Sequence, residues 1–379
     1  MTHATMTTNE APRRATKSAP PITTKGGPKG PSLEVISLGR LLDHKFTTRE
    51  HLIFPWLRQG ESAMLWAAPG AGKTLLALTL AVAVAGGGTV AGWTSPKPRK
   101  VLVVDGEMNA EDLKDRAALL LETIEGIDKE AARQNLLILS RNWQDGSVDF
   151  PDLGQRQKDL TEHDRKVKIE AGQDRVFRTA QSYKAEFVIL DNFSTLVEVA
   201  DENDAASMTA TLAFLLRFKT ANIACMLVHH SGKTGTTYRG SSKLATTFEV
   251  IMGLHKENVA GSAGATGAAF RIHWEKFRGK PHEAVMDRVM ALETDEAGVA
   301  RWSITEAPET KMDVLMAAVE TCQWSSGGEL AKHLAWSTGE VSKIKTAAIK
   351  AGKTTPALWE GYLAEARENA TTGDHTTDF

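Results

Sequence analysis

Cysteine is nearly missing from this sequence: Cys225 and Cys322 are the only two in 379 residues. Two thiols cannot build a disulfide framework or a cysteine-based zinc cluster, so stability has to come from apolar burial, and a reducing, cytoplasmic setting is expected. Charge of one sign is lacking too. Lys and Arg number 45 against 47 Asp and Glu, a net charge of −2, which excludes a protein that coats a polyanion with its whole surface; any such contact has to be local. An unbroken apolar run of membrane length is also wanting. Leu75–Trp93 carries no charge for 19 residues, yet Lys73 and Thr74 precede it and Gly86, Gly87 and Gly88 break it. It is expected to form a buried helix followed by a turn, not a membrane span. Residues 1–32 are rich in Thr, Pro, Gly and basic side chains, so a disordered basic tail is expected there and no secretory signal.

What the chain does have is alternation. From Ser32 to about Pro308, short β-type apolar runs alternate with amphipathic helical stretches, the pattern of an α/β domain with a mostly parallel sheet. Strands are expected at Ala63–Trp66, Lys100–Asp105, Leu136–Leu139, Phe187–Asp191 and Ile223–His229, and helices at Lys73–Ala85, Glu111–Glu125 and Ala205–Thr220. Phe248–His255, Phe270–Phe277, Val285–Glu293 and Val299–Ile304 have antiparallel character and would extend the sheet at one edge. Residues 142–184 are unusually polar and, with no clean apolar stripe, predict a solvated insertion. Val259–Ala269 consists mostly of Gly, Ala, Ser and Thr and predicts a flexible hairpin tip. The expected divisions are a tail (1–32), an α/β domain (33–308), a helical module (309–360) and a second tail (361–379).

The strongest motif is Ala67-Ala68-Pro69-Gly70-Ala71-Gly72-Lys73-Thr74, placed directly after a strand and opening a helix, with Leu75 the last residue of the expected nucleotide-binding stretch. Small residues let successive backbone N–H groups turn inward around phosphate oxygens, and the helix N-terminus adds its dipole. Lys73 reaches the β and γ phosphates, and Thr74 offers a hydroxyl to Mg²⁺. The loop departs from the P-loop pattern at one place, since Ala67 stands where the first glycine belongs.

Such a loop needs an acid at the end of a neighbouring strand to hold hydrated Mg²⁺, and Asp191 closes the run Phe187–Asp191. A second acidic turn, Asp105-Gly106-Glu107, ends an earlier strand. Glu107 lies past the strand, at the edge where open α/β sheets bind ligands, and is preferred over Asp105 as the base that polarises water. A further strand ends in His229-His230-Ser231-Gly232-Lys233. His230 or its neighbour His229 would face the γ-phosphate and report hydrolysis, and the sequence does not choose between them.

Taken in order, the P-loop, Gly106-Glu107-Met108, Asp191, the His229–Lys233 run and Arg239-Gly240-Ser241-Ser242 resemble the RecA-type ATPases, and within them the group typified by the plasmid replicative helicase RepA. The resemblance spans about Leu52 to His255. It implies a RecA-like P-loop NTPase core, a homo-oligomeric and often hexameric ring, ATP with Mg²⁺ between subunits, and single-stranded DNA in the ring channel. It also implies Glu107 as base, Asp191 as the Walker B acid, and Arg239 reaching a neighbour's phosphates. Lys233 and Tyr238, in the same loop, are alternative contacts to a DNA strand.

After Pro308 the pattern turns helical. Lys311–Gln323 carries Val314, Leu315, Ala318 and Val319 on one face, and capping boxes at Ser326–Glu329 and Ser337–Glu340 start two short helices. This predicts a small helix-turn-helix, resembling winged-helix DNA-binding domains over about Met312 to Pro356. Between Glu340 and Lys353, four lysines (343, 345, 350, 353) face one acid, so the second helix is expected to enter the major groove of duplex DNA or to lie on its phosphates. The expected activity is that of an ATP-driven motor on DNA, of the kind carried by phages, plasmids and integrated elements. The alternative is an ATP-controlled DNA-binding regulator or replication-initiation factor that does not unwind.

Overall fold

The structure, a computed structural model, describes residues 34–144, 161–196, 209–232, 238, 246–257, 268–294, 299–307 and 310–372. The expected tail at 1–32, most of the Gly/Ala/Ser/Thr loop, Lys233 and the Arg239–Ser242 segment lie outside the described residues. The chain forms two units that divide after Thr48. The described part of the first holds one short helix, α1 (Leu38–Asp43), capped by the Ser37 hydroxyl.

In the second unit a nine-stranded sheet forms the middle layer. A short hairpin, β1 (His51–Ile53) and β2 (Leu57–Arg58), precedes β3 (Ser62–Ala67), which runs into the loop before α2 (Lys73–Gly86). A second hairpin, β4 (Gly88–Val90) with β5 (Trp93–Ser95), leads to β6 (Val101–Asp105). Then come α3 (Ala110–Leu121), α4 (Lys129–Asn135), β7 (Leu136–Ser140), α5 (Glu162–Ser182), β8 (Phe187–Asp191), α6 (Phe193–Leu196), α7 (Thr209–Thr220) and β9 (Ala224–His230). The strands β10 (Val250–Lys256), β11 (Ala269–Phe277), β12 (Arg288–Thr294) and β13 (Ala300–Glu306) complete the sheet in the order β13-β12-β11-β10-β3-β9-β8-β6-β7.

The six strands from β10 to β7 are parallel neighbours, so the expected α/β class with a mostly parallel sheet holds. The antiparallel extension is one strand shorter than expected. Phe248–His255 forms β10, which pairs antiparallel with β11 but parallel with β3. Alternate residues of the parallel strands pack on opposite faces, as the pleat requires: Ala63, Leu65 and Ala67 join the core under α2, while Met64 and Trp66 join the core under α5 and α7. Strands buried on both faces read as continuous apolar runs, which is why they were visible in the sequence. The uncharged stretch resolves as α2, buried almost all round, followed by the β4–β5 hairpin. No helix among the described residues is long and apolar enough to cross a membrane.

Two expectations need correction. The polar segment 142–184 is not wholly a solvated insertion, because its second half is α5, whose Val176 and Ala180 are fully buried. Phe177 of the same helix stacks edge-on against Phe218 and lies beneath the Arg217 guanidinium. The helical module also does not stop at 360. Beyond α8 (Lys311–Glu320), α9 (Gly327–His333) and α10 (Thr338–Lys350), a fourth helix, α11 (Pro356–Thr372), buries Trp359 and Leu363 in the module's own core. Among the described residues of this module there is no strand.

Candidate functional site

The P-loop takes its shape from two glycines in left-handed backbone, Gly70 (φ 72°) and Gly72 (φ 100°), the second capping α2. Gly72 is required twice over. A side chain there would be strained at this φ, and its Cβ would sit 2.9 Å from the Phe270 ring of β11. Ala67 answers the question raised by its missing glycine. It is still within β3, in register with His230 of β9 and Leu254 of β10, where the backbone is extended and a methyl group fits the core.

Lys73 is 6% exposed, and its ammonium donates to the carbonyls of Ala67 (3.1 Å) and Ala68 (3.0 Å). Burial pulls its pKa below the ordinary lysine value, while the carboxylates of Asp191 and Glu107 push the other way. Asp191, at the end of β8, is buried and accepts a hydrogen bond from the Thr74 hydroxyl. Burial, reinforced by the neighbouring Asp105 and Glu107 charges, raises its pKa to about 7.

The register of β6 against β8 sets Asp105 beside Asp191, and the Gly106 N–H donates to the Asp191 carbonyl (2.8 Å). Asp105 is buried and committed. It accepts from the Met108 N–H at 3.2 Å and 3.3 Å and from the Ser140 hydroxyl at 3.2 Å, and burial raises its pKa. Glu107, two residues on, is exposed in the cleft, with one carboxylate oxygen accepting a hydrogen bond from the Asn192 side chain. Asp105 thus fixes the turn that presents Glu107.

A cleft of about 510 Å³ gathers Lys73, Thr74 and Glu107, while Asp191 and Asp105 are buried outside its lining. Its lining includes Pro69, Gly70, Gly72, Lys73, Thr74 and Leu75 of the loop and helix, with Glu107, Asn192 and His230 facing them. Of the two histidines, His230 lines the cleft, while His229 is fully buried with its ring edge-on to Phe193. The sequence reading missed Asn192, Asp112, Arg116 and Ala268, which also line the cleft. The Asp112/Arg116 pair had a signal, being four apart on the helix after the Glu107 turn, whereas Ala268 comes from the far side of the sheet and had none.

Tyr238 is half-buried against the core under α5 and α7 and makes a β-bridge with Ser231, so it is not the exposed stacking platform expected of it. In the helical module the expected surplus of lysines is reduced. Lys345 pairs with Glu360 (3.1 Å) and lies over Trp359, leaving Lys343, Lys350 and Lys353 exposed around α10, and Glu340 is taken by Lys311.

No group of three or more His, Cys, Asp or Glu among the described residues forms a cage for a metal. One hydroxyl, Thr74, hydrogen-bonded to one carboxylate, Asp191, is the hard-oxygen set that suits Mg²⁺, an ion that keeps waters and substrate phosphates as its other ligands. The residues present fit that ion.

Among solved structures, the chain is similar to the flagellar accessory protein FlaH from Methanocaldococcus jannaschii. Identity is 11%, the TM-score is 0.39, and the match covers 66% of this chain and 91% of that one. It is also similar to a KaiC-like protein from Pyrococcus horikoshii OT3 (14%, TM-score 0.42, 69% and 99%) and to the RadB recombinase (18%, TM-score 0.38, 64% and 90%). No curated protein matches it. Residues 31–236 match the AAA domain family, a span that holds the P-loop, Glu107, Asp191 and His230. That span is more than half of the sequence, and the chain belongs to the AAA domain family of P-loop ATPases.

Proposed function

We propose that this protein is an ATP-hydrolysing RecA-fold motor acting on DNA, of the RepA-like hexameric helicase type found in phages and mobile elements. The observation that carries the ATPase part is the convergence of three strand ends on one loop. Thr74 hydrogen-bonds Asp191, Glu107 is held by Asn192 across the same cleft, and Lys73 feels the charge of both Asp191 and Glu107.

In this reading the backbone of Ala68 to Gly72 cradles the phosphates and Lys73 neutralises the β and γ oxygens. Thr74 and Asp191 would hold Mg²⁺, which when bound supplies charge neutralisation at the transferring phosphoryl group. Glu107 accepts the proton of the attacking water, oriented by the Asn192 amide. His230 faces the γ-phosphate. Arg239 would complete the site of an adjacent subunit, stabilising the charge that develops in the transition state.

The test is ATP turnover with and without single-stranded DNA, alongside strand displacement, for wild type, Lys73→Ala and Glu107→Gln. Turnover surviving Lys73→Ala would sink the nucleotide-site assignment. Mixing Arg239→Ala with Glu107→Gln subunits should restore some activity only if the arginine acts across an interface.

A second reading has its own support. The exposed lysines around α10, on a module with a buried core of its own, suit duplex phosphates and favour an ATP-controlled DNA-binding switch. DNA-stimulated turnover without strand displacement would select it.

A further inference from the structure

At the end of the sheet opposite the nucleotide cleft lies a notch of about 180 Å³. Strand β3 connects the two: Glu61, just before its first residue, lines the notch, and Ala67, its last, enters the P-loop, a separation of ~20 Å along an extended strand. Trp56, Val250 and Phe277 give the notch apolar walls. Arg49, Arg58, Arg278 and Lys280 surround it with positive charge, and Glu61 and Glu249 are its acids.

The acids are already engaged. Glu61 pairs with Arg49 (3.4 Å) and accepts from the Arg58 backbone N–H (2.9 Å), and Glu249 pairs with Lys219 and accepts from the Ser62 N–H (2.8 Å). Arg58 donates its Nε–H to His51 (3.1 Å), and none of Arg58, Arg278 and Lys280 makes a salt bridge to a described carboxylate. The local field is positive even so: burial, then Arg278 and Lys219, holds Lys276 below the ordinary lysine value despite Glu249. The turn carrying two of these cations is also shaped by packing. A Cβ on Gly279 would lie 2.2 Å from the Phe277 ring, so only glycine lets Arg278 and Lys280 flank that ring.

We propose that this notch is a second anion site, which takes a backbone phosphate of single-stranded nucleic acid at the end of the sheet remote from ATP. Guanidinium forks match phosphate oxygens, the volume suits one phosphodiester with its sugar, and the apolar walls give the sugar a surface that an acidic peptide's carboxylates would not use. With a whole-chain charge near zero, such a patch is the local contact the composition demands. The proposal rests on the reading that the protein acts on nucleic acid.

Fluorescence anisotropy with a labelled oligothymidylate, measured across a salt series, tests it with the double variant Arg278→Gln/Lys280→Gln in the full chain. Both side chains are exposed and outside the nucleotide cleft, so DNA-free ATP turnover and thermal unfolding should match wild type. Each lost phosphate contact removes about 0.7 from the slope of log K against log salt. The notch takes one phosphate, so the double variant should make the slope shallower by about 0.7 and weaken binding roughly 5-fold at about 0.1 M salt. Arg58→Gln should act in the same direction. Unchanged slope and affinity in the double variant would overturn the site while leaving the DNA reading intact. Loss of polyglutamate binding with oligothymidylate binding retained would overturn it in favour of an acidic protein partner. Wild type that binds no oligothymidylate would overturn it together with the DNA reading, while the ATPase assignment would stand on turnover alone.

Discussion

In the proposed site Asp191 holds the metal but is costly to bury, and Asp191→Asn should separate the two effects. Its pKa of about 7 against an ordinary 3.8 means that the folded protein keeps a proton there that the unfolded chain has already lost. A raised folded-state pKa contributes stability that is fully present below about pH 4 and is lost as pH climbs through about 7. At about 1.36 kcal/mol per unit the ceiling on that loss is roughly 4 kcal/mol. The amide imitates the protonated acid and avoids the loss, but it also removes the negative charge that offsets the burial of Lys73. A net gain of about 2 kcal/mol at pH 8 is therefore expected for the nucleotide-free variant, or several degrees in Tm.

The assay is denaturant unfolding of nucleotide-free wild type and Asp191→Asn at pH 5 and pH 8. The variant's advantage should be small at pH 5 and near its full value at pH 8. With saturating Mg·ATP the order should reverse, because ligand binding stabilises only a site that can hold the metal, by RT ln(1 + [L]/Kd). An advantage of the same size at both pH values, or a wild type more stable at pH 8 without nucleotide, would refute the claim that Asp191 is a strained buried carboxylate.

Glu107→Gln should retain nucleotide binding and lose at least 10²-fold in turnover, whereas Asp105→Asn should chiefly destabilise the β6 turn; stopped-flow turnover with parallel nucleotide titration separates them. Gly72→Ala, at φ 100° and against Phe270, should weaken nucleotide affinity by about tenfold or more while circular dichroism stays native. Trp359→Ala should cost about 3–5 kcal/mol and abolish cooperative unfolding of the C-terminal helices, since Trp359 is 1% exposed at the centre of their core; truncation after Glu360 should act in the same direction by removing Leu363 from that core. Arg99→Met should destabilise by about 2 kcal/mol, because a guanidinium only 2% exposed joins Glu50 (2.6 Å) and Glu186, both of which still reach solvent.

The parallel strands and the P-loop were legible because their physics is local. A strand buried on both faces must be apolar throughout, and a phosphate cradle must be made of small residues followed by Lys and Thr. Glu107 was separable from Asp105 by counting residues past the strand, and the hydrogen bonds of Asp105 to Met108 and Ser140 give the reason. Only geometry could choose His230 over His229, because both sit at the end of one strand and differ in which face they take. The length of α11 was hidden by its composition, in which Glu, Ala, Thr and Asn dilute the apolar spacing of Trp359, Leu363 and Ala366. Likewise α5 looked like a solvated run because its buried apolar residues Val176 and Ala180 alternate with exposed Arg175, Arg178 and Gln181. The commitment of Lys345 to Glu360 depends on how two helices pack, which a charge count along one of them does not contain.

The contact least visible in the sequence ties the nucleotide loop to the C-terminal helices. Successive side chains of a strand point to opposite faces, and in β11 the two neighbours Phe270 and Arg271 use both. Phe270 is fully buried and its ring packs against Gly72, so the end of the P-loop rests on β11. Arg271, on the other face, joins Asp287 (3.3 Å) and reaches Asp313 (3.6 Å), the residue that completes the capping box of α8 with Thr310. A displacement of Gly72 thus meets a strand whose next residue holds the first turn of the helical module. The antiparallel extension thus packs against the P-loop, although all of it lies beyond the residues that match the AAA domain family.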